Sequence, residues 1–161
     1  MRGDQDSPNY TVRAGEIIPN WCDCELDIIG SKQERQRFAR KAVTVDEKDV
    51  LIDFENFVPL PNDIDLIEGT RDWCIANWGT KWNIGDDTIM VHNTDDFTMY
   101  HFMTAWSPPN PVVLAMSRQF PTLNFHLRYW EGGAAFQGEF QAINGVVLKD
   151  ETQPYAGNRG G

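Results

Sequence analysis

No apolar run in this chain is longer than a handful of residues, far short of the roughly 20 needed to cross a bilayer as a helix. The opening MRGDQDSPNY lacks an apolar stretch that could direct secretion, so no membrane contact and a cytoplasmic location are expected. Cysteine is scarce. Cys22, Cys24 and Cys74 are an odd set that cannot complete a disulfide framework, and free thiols in a reducing compartment are expected. Histidine is equally scarce, and His92, His101 and His126 show no His-x-x-x-His spacing. With Cys-x-x-Cys also absent, no metal is expected. Neither Gly-x-x-x-x-Gly-Lys nor Gly-x-Gly-x-x-Gly occurs to hold a phosphate, so no cofactor is expected. Ser107 and Ser117 have no nucleophile-elbow glycines around them, and Asp86-Asp87 and Asp95-Asp96 are adjacent rather than facing carboxylates. A catalytic constellation is therefore missing, and a non-enzymatic protein is expected.

Cations are few in the middle of the chain. Residues 44–104 hold thirteen acidic and three basic residues, while the segments on either side balance, so this third carries the whole net charge of -10. A field of that sign repels nucleic-acid phosphate and attracts basic surfaces. Direct DNA or RNA binding is disfavoured, and a basic protein partner is favoured.

What is present suffices for one domain. A chain of 161 residues with 41% hydrophobic and 12% aromatic content can bury a single core. Residues 1–16 and 151–161 read as polar tails around one α+β domain over 17–150. NWCDCELDIIG alternates Trp21, Asp23, Glu25 and Asp27 against Cys22, Cys24, Leu26 and Ile28, the period-two pattern of a half-buried strand with one acidic face. Gly30 ends it. Ser31 with Glu34 three residues on is a capping box, which predicts a helix to about Ala42. A strand is expected from Val50, stopped by Pro59 and Pro61. DLIEGTRDWCIANW reads as a helix with Leu66, Trp73, Ile75 and Ala76 toward the core.

TIMVHNTDDFTMYHFMTAW reads as a hairpin around NTDD. SPPNPVVLAMSRQF predicts a helix capped by Ser107 or Asn110 with proline in its first turn, ended by Pro121. LNFHLRYWEGGAAFQGEFQAI predicts a second hairpin turning at Gly132-Gly133, with NGVVLKD extending or following its last strand. The resulting order suggests an antiparallel or mixed sheet with helices packed on one face, ferredoxin-like, with an extra C-terminal hairpin.

Large aromatic rings serve either as core anchors or as binding hot spots. Trp73 and Trp106 are expected in the core; for Trp78 and Trp82, four residues apart in NWGTKW, core and surface are equally open.

PNWCDCELDIIG, FENFVPLP, NWGTKW and FMTAWSPPNPVVLAMSRQFPTLNFHLRYWEGGAAFQGEF, in that order over about 19–140, resemble the Api-ninety-two-like proteins of phages and conjugative plasmids. The resemblance implies a ferredoxin-like domain and an accessory gene of a mobile element, with no catalytic residues to carry over. It implies that NWGTKW and TAWSPP are structural signatures, a turn and a strand-to-helix corner. The expected function is then that of a phage- or plasmid-encoded protein that covers a basic groove on a host protein or nucleoprotein, as an anti-CRISPR or anti-restriction nucleic-acid mimic would. The expected contact surface comprises Asp46, Glu47, Asp49, Asp63, Asp65, Glu68, Asp72, Asp86 and Asp87, with Trp78, Lys81 and Trp82. Two other classes compete: a small metal-dependent enzyme using His92 and His101, and a self-associating structural protein.

Overall fold

The computed structural model describes residues 20–45, 50–64, 68–84 and 88–157. Strand β1, Trp21–Ile29, follows the predicted alternation, with Cys22, Cys24, Leu26 and Ile28 fully buried. Helix α1 spans Lys32–Ala42, and the Glu34 amide donates to the Ser31 hydroxyl at 3.2 Å, half of the expected capping box.

The strand expected from Val50 is not a sheet strand. Among the described residues, Val50 forms an isolated bridge to Thr44, and Phe54–Asn56 form a 3₁₀ turn. The reason is competition from side-chain hydrogen bonds, most of which reach back to the end of α1. The Asp53 carboxylate accepts from the Glu55 amide at 2.9 Å and from the Thr44 hydroxyl at 2.6 Å, while Asn56 Nδ2 donates to the Ala42 and Val43 carbonyls at the end of α1. These bonds fold the segment onto the helix terminus and bury Ile52, Phe54 and Phe57.

Helix α2 spans Glu68–Asn77, but its inward face is not the expected one. Cys74 is buried, Trp73 is half-buried and Ile75 and Ala76 are exposed; Leu66 lies outside the described residues. Trp78, one turn beyond Cys74, continues the buried stripe, as the helical repeat requires.

Strands β2, Ile89–Asn93, and β3, Phe97–Ala105, form the first expected hairpin. Helix α3, Asn110–Gln119, starts from Pro109 with no side-chain cap, where Ser107 or Asn110 was expected, and has proline in its first turn. It buries Val112, Val113 and Met116. Strands β4, Asn124–Glu131, and β5, Phe136–Ile143, form the second hairpin. Asn144 and Gly145, both at positive φ (50° and 73°), then turn the chain into β6, Val146–Pro154. This strand runs past residue 150, where the domain was expected to end.

Among the described residues, all strand pairings are antiparallel, in the order β2-β3-β1-β4-β5-β6. The succession β1-α1-β2-β3-α3-β4 with that order is ferredoxin-like, and β5-β6 is the extra C-terminal hairpin widening the sheet. The helices lie over one face. Phe38 of α1 packs against Tyr100 and Phe125, and Phe54 bridges Trp78 to Phe102.

Burial raises the Tyr100 phenol to about 12 from its ordinary 10. Burial, and then the bond to Cys22, pushes the Cys24 thiol up as well. Both groups are neutral in the fold and become charged more readily once unfolded. Their contribution is complete below the unfolded-state value and is lost as pH rises. The Tyr100 effect predicts a loss on the order of 2–3 kcal/mol between pH 10 and about 12. Urea unfolding at stepped alkaline pH measures it, and Tyr100→Phe should flatten the decline; an equally steep decline in that variant would refute the assignment.

Candidate functional site

The sheet face opposite the helices carries the concentration of polar chemistry. Because β1 is central, its outward residues Trp21, Asp23, Glu25 and Asp27 run down the middle of that face. The register sets Glu25 between His101 of β3 and Arg128 of β4, and Asp27 between Met99 and His126. Arg128 Nη2 reaches Glu25 Oε2 at 3.2 Å and Asp27 Oδ2 at 3.1 Å. His101 Nε2 meets Asp23 Oδ1 at 2.5 Å, and His126 Nε2 meets Glu139 Oε2 at 2.9 Å. Lys149 Nζ lies 3.0 Å from the same Glu139 oxygen and 3.6 Å from Glu151. The Lys149 ammonium, and then His126, hold the Glu139 carboxyl below the usual carboxylate range.

Among the described strand residues, this face brings together five carboxylates, Asp23, Glu25, Asp27, Glu139 and Glu151, against two permanent cations, Arg128 and Lys149. Among the described residues, Asp27 Oδ1 and Arg128 Nε, both inaccessible to solvent, find no hydrogen-bond partner. Beside them is a shallow depression of about 110 Å³, lined by Arg128, Trp130, Gln137, Glu139, Glu151 and Gln153. At the β1 start, Trp82 stands edge-on to Trp21, ring centroids 6.2 Å apart, and is 44% exposed.

His92 lies in register with Met99 and so shares this face with His101 and His126. Among the described residues no three His, Cys, Asp or Glu side chains are grouped to hold a metal ion. Ser107 donates to the Gly79 carbonyl at 2.6 Å and Ser117 to the Leu114 carbonyl at 2.7 Å, so both hydroxyls serve the backbone.

The expected contact residues are divided among several places. Asp46, Glu47, Asp49, Asp65, Asp86 and Asp87 lie outside the described residues, as does the side chain of Glu68, which opens α2. Asp63 is exposed after the 3₁₀ turn, and Asp72 is exposed on α2, in the helix layer and away from the acidic sheet face. Trp78 is a core residue, 1% exposed, its Nε1 donating to the Val58 carbonyl at 2.8 Å, and so presents no surface to a partner. Trp82, by contrast, is on the surface. Lys81 Nζ stands 4.3 Å over the ring of Trp106, which is half-buried rather than in the core as expected.

NWGTKW and TAWSPP are two halves of one corner. Thr80 donates to the Ala105 carbonyl at 2.9 Å, Ser107 returns a bond to Gly79, and Lys81 covers Trp106. Gly79 sits at φ 90°, and a Cβ there would come within 2.5 Å of Pro111. Trp106 itself holds a left-handed φ of 73°, its amide donating to the Asn20 carbonyl at 2.8 Å. The corner thereby fixes the edge of the face where Trp21 and Trp82 stand.

The architecture defines an α+β protein of ferredoxin-like topology with an open, acidic sheet face. Residues 77–156 match the family model described as the ferredoxin-like domain in Api92-like protein. Among solved structures, the crystal structure of a protein api92 from Yersinia pseudotuberculosis is similar at a TM-score of 0.66 and 10% identity, covering 88% of this chain and 100% of that one. At that identity the likeness is one of fold. The comparison with curated proteins found no match.

Proposed function

We propose that this is a non-catalytic binding protein whose open sheet face docks a basic surface of a partner protein or nucleoprotein. The observation that carries the proposal is the carboxylate row Asp23, Glu25 and Asp27 along the central strand, exceeding the cations beside it. Such a face speeds the approach of a basic patch and rejects phosphate, while the exposed rim tryptophan Trp82 provides apolar contact area. In the mobile-element setting that the family resemblance implies, the partner is a host defence complex whose nucleic-acid groove the face occupies as a polyanion.

A pull-down from bacterial lysate with the tagged full chain, at low and at raised salt, tests this. The expected result is capture of basic proteins that weakens with salt and falls about tenfold or more, roughly 1.4 kcal/mol, for Glu25→Gln/Asp27→Asn combined with Trp82→Ala. Circular dichroism should confirm that the variant folds. Capture that is the same for the variant and indifferent to salt would sink the proposal.

A further inference from the structure

Among the described residues, the two edges of the sheet differ in length and in exposed apolar surface. β2 is five residues long and its register shifts between Met90 and His92, the sort of short, irregular strand that discourages strand addition. β6 is nine residues long and opens with Val146, Val147 and Leu148, which are 56%, 44% and 55% exposed; its register with β5 also shifts once, at Leu148, and is unbroken from Lys149 to Pro154. A long edge with three consecutive exposed apolar residues is a template for another strand.

The charges on β6 select the occupant. Glu139 and Glu151 stand directly opposite each other on β5 and β6, a like-charge pair that costs stability. Lys149 serves both, closely for Glu139 at 3.0 Å but only at 3.6 Å for Glu151, whose side chain is 73% exposed. If a second β6 pairs antiparallel about a two-fold axis at Asp150, Lys149 of each copy falls opposite Glu151 of the other, on the same face. The acid that its own chain serves poorly then gains a counter-charge, and does so twice by symmetry. The same register sets the exposed Leu148 against Thr152 of the second copy.

We infer that this protein forms a two-fold dimer through its β6 edges, joining two six-stranded sheets into one and leaving both acidic faces open on the same side. A partner would then meet two binding faces held at a fixed spacing. The inference does not depend on the proposed function.

Sedimentation velocity of the full chain, from low micromolar to several hundred micromolar, tests it. The wild type should shift from monomer to dimer, and Leu148→Lys, at an exposed position, should remain monomeric and folded. Lys149→Glu should weaken the dimer about tenfold or more, and Lys149→Glu/Glu151→Lys should recover most of that loss. Asp150→Asn should tighten association, because the axis sets Asp150 against its own copy. A wild type that stays monomeric throughout, or a dimer indifferent to Leu148→Lys and Lys149→Glu, would overturn the inference. Failure of the double variant to recover would overturn the register.

Discussion

Replacing Phe38 with alanine is expected to lower the unfolding free energy by about 3–5 kcal/mol, a large part of what a domain of this size has. Phe38 is 1% exposed and is the point where separate parts of the chain meet. Its ring lies 5.3 Å from Phe57 after the 3₁₀ turn, 5.3 Å from Phe120 at the end of α3, and 5.5 Å from Phe125 on β4. Tyr100 on β3 completes the ring of neighbours at 6.2 Å. Large aromatic partners on every side cannot close over a hole, so the cavity term adds to the lost transfer energy. Denaturant unfolding gives the value, and Phe38→Leu should cost markedly less. A loss below about 1 kcal/mol for the alanine variant would mean that the cluster is not the hub of the core.

Replacing Arg35 with leucine should cost about 3 kcal/mol or more, through orphaned acceptors rather than lost apolar contact. Arg35 is 4% exposed, and its fork donates to the Gly30, Thr94 and Asp95 carbonyls at 2.9, 2.9 and 2.6 Å and to the Thr98 hydroxyl at 2.9 Å. A weaker bond reaches the Asn93 side chain at 3.3 Å. One side chain of α1 thereby ties the β1 exit to the β2–β3 turn. Lysine keeps the charge but not the fork, so Arg35→Lys should recover only a minor part. Hydrogen exchange should speed up at the β2–β3 turn first in both variants. Equal stability of the lysine variant and the wild type would refute the fork as the cause.

Local patterns in the sequence predicted most of the frame, and non-local ones were hidden. The β1 alternation and the Ser31 cap are decided within a few residues, and both appear as expected. At Val50 the pattern suggested a strand, yet Asp53 and Asn56 bond to residues around the end of α1, which a window along the sequence does not contain. Trp78 and Trp82 were equivalent by type and spacing; the continuing stripe from Cys74 buries the first, and the turn at Gly79 releases the second. The acidic face was obscured by summing charge along the chain. Asp23, Glu25 and Asp27 are cancelled on paper by Lys32, Arg35, Arg37, Arg40 and Lys41, all on α1, which packs on the other side of the sheet. The alternate residues of β1 do show the row; the contribution of Glu139 depends on β4 pairing with β5, and that of Glu151 on β5 pairing with β6.

The place of β1 also bears on how the molecule is made. Among the described strands, the one that comes earliest in the chain is central in the sheet, and its neighbours are Phe97–Ala105 on one side and Asn124–Glu131 on the other. Neither of these partner strands exists to pair with its cysteine-, leucine- and isoleucine-lined ribbon until the chain has been translated past Phe97. Contacts so distant along the chain make for slow acquisition of structure. In the growing cell, nascent copies therefore spend their synthesis with that greasy ribbon uncovered, a natural target for chaperones.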